Sequence, residues 1–305
     1  MKRERLWWVR LGWIPRASAA IVLLHGLSLA QIPEAVGSES GPGQVGVGTS
    51  GVVPFTLRDG YLIVVEGRIG AQGHLKLVLD TGATHSVLRP DLAKDQMFLR
   101  RTVRIVNLDH VITQELADVP DFELGPIRIP LLPVMLNDLS YLRESAPGVD
   151  GLIGLDVLQG RSFSIDFGRR KITFGASRTL RFSATMEVNE AYLAVEVQML
   201  NRPVHLLLDT GVSAILLYRD RLGNRLPELR VEQQVRGASL GGATSLEVVT
   251  LPRLQLNGTD LARRAVLLRN SPSGLLPRID GYLSLTALGA RRFSFDFERN
   301  TFSWE

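Results

Sequence analysis

The 305-residue sequence contains no cysteine, which removes disulfide staples, thiolate metal sites and cysteine nucleophiles at once. Chemistry must come from oxygen and nitrogen groups. HExxH, GxSxG and P-loop motifs are all missing, and the five histidines, His25, His74, His85, His110 and His205, share no ligand spacing. No metal or other cofactor is implied. A basic footprint for nucleic acid is lacking as well. The formal net charge is +4, and Lys2, Arg3, Arg5, Arg10 and Arg16 against Glu4 account for it within residues 1–30, leaving the rest neutral.

Beyond those N-terminal charges lies an apolar run, ASAAIVLLHGLSLA, of 14 residues, shorter than the ~20 a spanning helix needs. With the small residues Ser28 and Ala30 at its end, it has the layout of a secretory signal peptide over 1–30, with cleavage expected after Ala30. The chain is then exported, to a periplasm or the exterior. If the segment stays uncleaved, it serves instead as a membrane anchor. Residues 31–51, rich in Gly and Ser, read as a flexible tether.

The remainder is organised by an internal repeat. YLIVVEGRIGAQGHLKLVLDTG from Tyr61 matches YLAVEVQMLNRPVHLLLDTG from Tyr192, and DGLIGLDVLQGRSFSIDFGRRKITF from Asp150 matches DGYLSLTALGARRFSFDFERNTFSW from Asp280. The copies occupy 52–178 and 182–305, with GASRTLRFSA at 175–184 as the joint. Alternating or short β-prone runs dominate each copy, closing hairpins are expected at FSIDF/KITF and FSFDF/TFSW, and one short helix is expected after each Asp-Gly. The expected fold is all-β, in two pseudo-symmetric lobes.

Each copy carries Asp-Thr-Gly at the end of an apolar strand: Asp80, Thr81, Gly82 and Asp209, Thr210, Gly211. The Gly allows a sharp turn, and the Thr hydroxyl can bond across to a partner loop. Two such loops meeting at a pseudo-two-fold bring two carboxylates together. Carboxylates about 3 Å apart share one proton and titrate as a unit. The simpler reading is a pair of loop-capping aspartates without activity.

LVLDTGAT with GLIGL, and LLLDTGVS with GYLSL, resemble the retropepsin-type aspartic peptidases, in particular a bacterial family with two such units fused. The resemblance spans residues 52–305. It implies closed β lobes of the acid protease kind, Asp80 and Asp209 as catalytic dyad, and Thr81 and Thr210 in interlocking loop hydrogen bonds. It further implies peptide or protein as substrate, one chain sufficing for one site, and no cofactor.

Two positions of the second copy depart from the first. Val212 is bulkier than Ala83, and Ser284 replaces Gly154, where backbone packs closely behind the loop. A substrate-covering flap is expected in each copy. The second has a Gly241-Gly242 turn for it; the first offers only Asn107 to Asp109, without glycine. Asp166 and Asp296 read as turn caps or solvent-facing, Asp150 and Asp280 as bonding backbone at a helix start, and His85 as a packing residue near the first loop. A different class of function on the same fold is a peptide-binding or assembly module without turnover. A third possibility is pairing with a second chain, giving two sites per dimer.

Overall fold

The computed structural model describes residues 50–93, 100–108, 110–175, 177–223, 229–268, 270–271 and 278–305, together with two dipeptide strands, Ile21–Val22 and Leu27–Ser28. The rest of the expected signal peptide, its cleavage after Ala30 and the tether as far as residue 49 lie outside the described residues. Strand Gly51–Arg58 starts on the last residue of the span read as tether.

The chain is all-β with a few single helical turns. Strand Leu62–Ile69 departs from the expected alternation, because Leu62, Ile63, Val64 and Val65 are all buried. Apolar cover on both faces explains this: Ile63 and Val65 join the main core, while Leu62 and Val64 join a second cluster. The second lobe does the same, with Val195, Leu206 and Leu208 in the main core and Ala194 and Leu207 on the other face.

One local topology occurs in both lobes. Leu77–Leu79 runs parallel to Gly151–Ile153, and Gly151 also pairs antiparallel with Leu88. Leu206–Asp209 runs parallel to Gly281–Ser284, and Gly281 also pairs antiparallel with Leu217. A Cβ on Gly151 would lie 2.5 Å from the Val87 carbonyl oxygen, and one on Gly281 would lie 2.0 Å from that of Leu216. This crowding explains the Gly of each Asp-Gly pair. The preceding aspartates do not cap a helix. Asp150 accepts the Lys76 amide at 2.9 Å and Asp280 the His205 amide at 3.0 Å, tying each Asp-Gly strand to the strand that ends in Asp-Thr-Gly.

The closing hairpins pair with each other. Phe163–Asp166 lies antiparallel to Arg292–Asp296, and the sheet extends through Thr301–Trp304 to Phe182–Thr185 on one side and through Lys171–Phe174 to Gly51–Arg58 on the other. Phe163 stacks on Phe295 with centroids 4.6 Å apart. Asp166 caps its hairpin turn through the Arg169 amide. Asp296 does so through the amides of Glu298 and Arg299, but it is buried rather than solvent-facing.

Both expected helical turns are present, an α turn at Leu155–Leu158 and a 3-10 turn at Leu285–Leu288. One helix per lobe is nevertheless too few. Pro90–Ala93, Arg219–Leu222 and Ser140–Leu142 add further single turns.

Candidate active site

The two Asp-Thr-Gly loops meet each other and are buried. Asp80 follows strand Gln72–Leu79 and Asp209 ends strand Arg202–Asp209; both are fully buried. Four hydrogen bonds lock the loops. The Thr81 amide donates to Thr210 Oγ1 at 3.0 Å and the Thr210 amide to Thr81 Oγ1 at 3.1 Å. Thr81 Oγ1 in turn donates to the Leu208 carbonyl at 2.8 Å, and Thr210 Oγ1 to that of Leu79 at 2.7 Å. Each hydroxyl thus donates once and accepts once, which fits what a threonine can supply. The joint satisfies itself.

The next turn aims each carboxylate. The Gly82 amide donates to Asp80 Oδ1 at 2.8 Å, and the Gly211 amide to Asp209 Oδ1 at 2.6 Å. A Cβ on Gly82 would stand 2.4 Å from Asp209 Oδ2, so glycine is required by the approach of the opposite loop. The Asp80 carboxyl is held well above the usual carboxylate range, first by burial and then by the Asp209 charge and hydrogen bond, which outweigh the Gly82 and Ala83 amides. A buried pair of this kind keeps a proton. Burial likewise raises the hydroxyls of Tyr61 and Tyr141, with the Asp80 charge contributing to both.

Behind the first loop, the Ser86 amide and hydroxyl both donate to Asp156 at 2.7 Å, and the Gly154 amide donates to Ser86 Oγ at 3.1 Å. Burial pushes the Asp156 carboxyl up to about 7, although its donors pull the other way. A side chain on Gly154 would strike the His85 and Ala83 backbone at 2.7–2.8 Å. In the second copy Ser284 is accommodated by a different bond set: its hydroxyl donates to the Val212 carbonyl at 2.7 Å and accepts the Thr286 amide at 3.2 Å. The Ala83 carbonyl receives the Leu155 amide instead. A hydroxyl thus serves where the first copy uses backbone. Val212 is buried in the apolar cluster of its own lobe.

Both segments expected to be flaps are hairpins. The second joins Val231–Ser239 to Gly242–Thr250 with Ser239 opposite Gly242, so Gly241 lies in the turn and Gly242, at φ 112°, opens the return strand. The first joins Arg100–Asn107 to His110–Leu124 with Asn107 opposite His110. Here Leu108 takes a left-handed φ of 52° without glycine. The tips touch through Asn107 Nδ2 donating to Ser239 Oγ at 2.9 Å. They also exchange sides. Leu108 packs in the second lobe's cluster, its carbonyl accepting from the Tyr218 hydroxyl at 2.8 Å, while Leu240 packs in the first lobe's.

His85 fits the packing role. Its Nδ1 is buried without a partner among the described residues, and burial, with Arg101 nearby, lowers its pKa. Ser86, Asp156, Tyr141 and Tyr218 were not singled out by sequence reasoning, and Tyr61 only as the start of a repeat block. Asp156 had a visible signal, following GLIGL where the second copy has Thr286.

Residues 65–157 match the family model described as aspartyl protease, a span that includes Asp80 and the Gly151–Ile153 strand but not Asp209. No curated protein matches the chain. The parallel Asp-Thr-Gly and Asp-Gly strands and the buried carboxyl at their junction agree with this match, and over residues 65–157 the chain is similar to the retropepsin-like aspartyl proteases.

Proposed function

We propose that the chain is an aspartic endopeptidase in which Asp80 and Asp209 act together on one peptide bond. The observation that carries this reading is the four-bond exchange between Thr81 and Thr210, which sets two fully buried carboxyls side by side. The pair holds one proton. The ionised member takes a proton from a water between them, the water oxygen attacks the peptide carbonyl carbon, and the protonated member donates to the carbonyl oxygen. Collapse of the resulting diol breaks the C–N bond as a proton passes to the leaving amine. No covalent intermediate forms.

Thr81 and Thr210 hold the loops, Gly82 and Gly211 donate to the carboxyls, and the hairpins with Asn107 and Ser239 at their tips cover the substrate. Specificity depends on pocket walls from both lobes and both flaps. The site needs only one chain, because both carboxyls belong to it. The basic and apolar layout of residues 1–30 supports export, with action on periplasmic or external peptides.

The test is hydrolysis of a mixed peptide library from acid to neutral pH. Wild type cleaves, and Asp80→Asn and Asp209→Asn do not; equal rates would sink the proposal. Ser284 and the glycine-free first hairpin, the two features that would point to a non-catalytic binding module, are both locally well accommodated: Ser284 is hydrogen-bonded and the hairpin turns at Leu108.

A further inference from the structure

The tip of the first hairpin is fastened to the second lobe by a pair of tyrosines. Tyr218, Tyr282 and Leu108 are fully buried in one apolar cluster. The Tyr218 hydroxyl donates to the Leu108 carbonyl at 2.8 Å and lies 3.0 Å from the Tyr282 hydroxyl, with the two rings edge-on at 5.9 Å. A phenol carries one hydrogen. That of Tyr218 goes to Leu108, so Tyr282 is the donor to Tyr218, and a relay runs from Tyr282 through Tyr218 to the hairpin backbone. Both tyrosines sit on strands of the second half-site. Tyr282 pairs with Leu207 of the strand that ends in Asp209, and the Tyr218 amide donates to the Asp280 carbonyl at 2.9 Å. The hairpin tip is thereby tied to the strands that hold Asp209.

The second hairpin lacks such a tyrosine pair. Counted from the Asp of each Asp-Thr-Gly, Arg89 stands where the second copy has Tyr218, and counted from each Asp-Gly, Leu152 stands where it has Tyr282. Leu152 has no hydroxyl, and the Arg89 guanidinium bonds Asp91 and Asp150 instead. Leu240, at the turn position of Leu108, is packed in the first lobe's cluster beside the exposed Gly241 and Gly242. The bond between Asn107 and Ser239 is common to both tips and does not discriminate between them. One further buried hydrogen bond shifts a local opening equilibrium about 10-fold, enough to decide which tip lifts first. We infer that Tyr218, braced by Tyr282, is a positioning residue that latches the first hairpin over the site, so that peptide is admitted by movement of the second. The latch needs no chemistry; only the admission of peptide rests on the peptidase reading.

The chain has no cysteine, so a single introduced thiol is a unique probe of each tip. Leu108→Cys and Leu240→Cys place it there and leave the backbone carbonyl untouched. On the full chain carrying Asp80→Asn, which prevents self-cleavage, the Leu240→Cys thiol should react with a soluble disulfide reagent about 10-fold faster than that of Leu108→Cys. Adding Tyr218→Phe should speed Leu108→Cys about 10-fold and leave Leu240→Cys unchanged; adding Tyr282→Phe should act in the same direction by less. Equal or reversed rates at the two tips overturn the proposal, as does a Leu108→Cys rate indifferent to Tyr218→Phe. A rise at both tips alike marks general loosening and overturns it too. The comparison of the two tips uses neither tyrosine variant, so it decides the matter even if Tyr218→Phe fails to fold.

Turnover supplies a separate arm. With both aspartates present, Tyr218→Phe should raise KM for peptide while kcat changes less, because the wall that receives peptide is loosened and the carboxyls are not. A fall in kcat with KM unchanged would put Tyr218 in the chemistry and overturn its positioning role. Thiol rates in the expected order on a chain that cleaves nothing would leave the latch standing and sink the peptidase reading alone.

Discussion

Thr81 and Thr210 each accept the other's amide through the side-chain hydroxyl, at 3.1 and 3.0 Å, while donating that same hydroxyl across the joint. Removing one hydroxyl therefore orphans a buried N–H and a buried carbonyl together. Thr81→Ala and Thr210→Ala should each cost about 2–4 kcal/mol in denaturant unfolding. Thr→Ser at either site, which keeps the hydroxyl, should recover most of that loss.

Gly82→Ala tests the approach of the loops. Its methyl would arrive where Asp209 Oδ2 already stands, so the carboxyls must part. Peptide hydrolysis should fall about 100-fold or more, as expected for a displacement of the order of an ångström at reacting groups. The hairpins and lobe cores lie away from this contact. Far-ultraviolet circular dichroism should be unchanged.

The raised Asp80 carboxyl has a definite sign in stability. A carboxyl whose pKa is higher folded than unfolded contributes stability at acid pH and loses it as pH rises through the folded value. Asn at that position mimics the protonated form. Asp80→Asn should abolish hydrolysis yet unfold at higher denaturant than wild type at pH 7, the two converging in acid. In wild type, activity should decline on the alkaline side as the shared proton is lost.

Asp156 obeys the same rule over a narrower window. With its carboxyl at about 7 against an ordinary 3.8, its contribution is complete below the lower value and lost as pH rises through the upper one. Asp156→Asn can still accept the Ser86 amide and donate to the Ser86 hydroxyl. Its stability should fall less steeply than that of wild type between pH 4 and 7, as read by urea midpoints across that range.

Ser284 supplies the asymmetric test. Its hydroxyl is the donor to the buried Val212 carbonyl, so Ser284→Ala should cost about 1–2 kcal/mol by thermal or urea unfolding. Gly154→Ala should cost more, because its methyl meets backbone atoms of Ala83 and His85. A larger loss at Ser284 than at Gly154 would contradict these roles.

The parts of the site that were legible in the sequence are those written twice in short strings. Asp80–Gly82, Asp209–Gly211, the Asp-Gly strands and the closing hairpins sit at corresponding places, and a pattern of apolar residues ending in Thr-Gly can be seen without a third dimension. The bond between Ser86 and Asp156 joins residues 70 apart, and that between Asn107 and Ser239 joins residues 132 apart. Neither is repeated, so no periodicity announces it. Strand alternation misled at Leu62–Val65, where a second apolar layer covers the outward face. The first flap's turn was obscured because Leu108 adopts a conformation usually left to glycine or asparagine.

The sheet formed where Phe163–Asp166 meets Arg292–Asp296 has a consequence for how the two halves can change. Hydrogen bonds and a shared chain hold both half-sites together at any dilution. A substitution in one half is then not copied into the other, as it would be in a symmetric dimer. Asp156 and Thr286 already differ at corresponding places, and under the proposed function such differences give the molecule two walls that can be tuned separately for the two ends of one peptide.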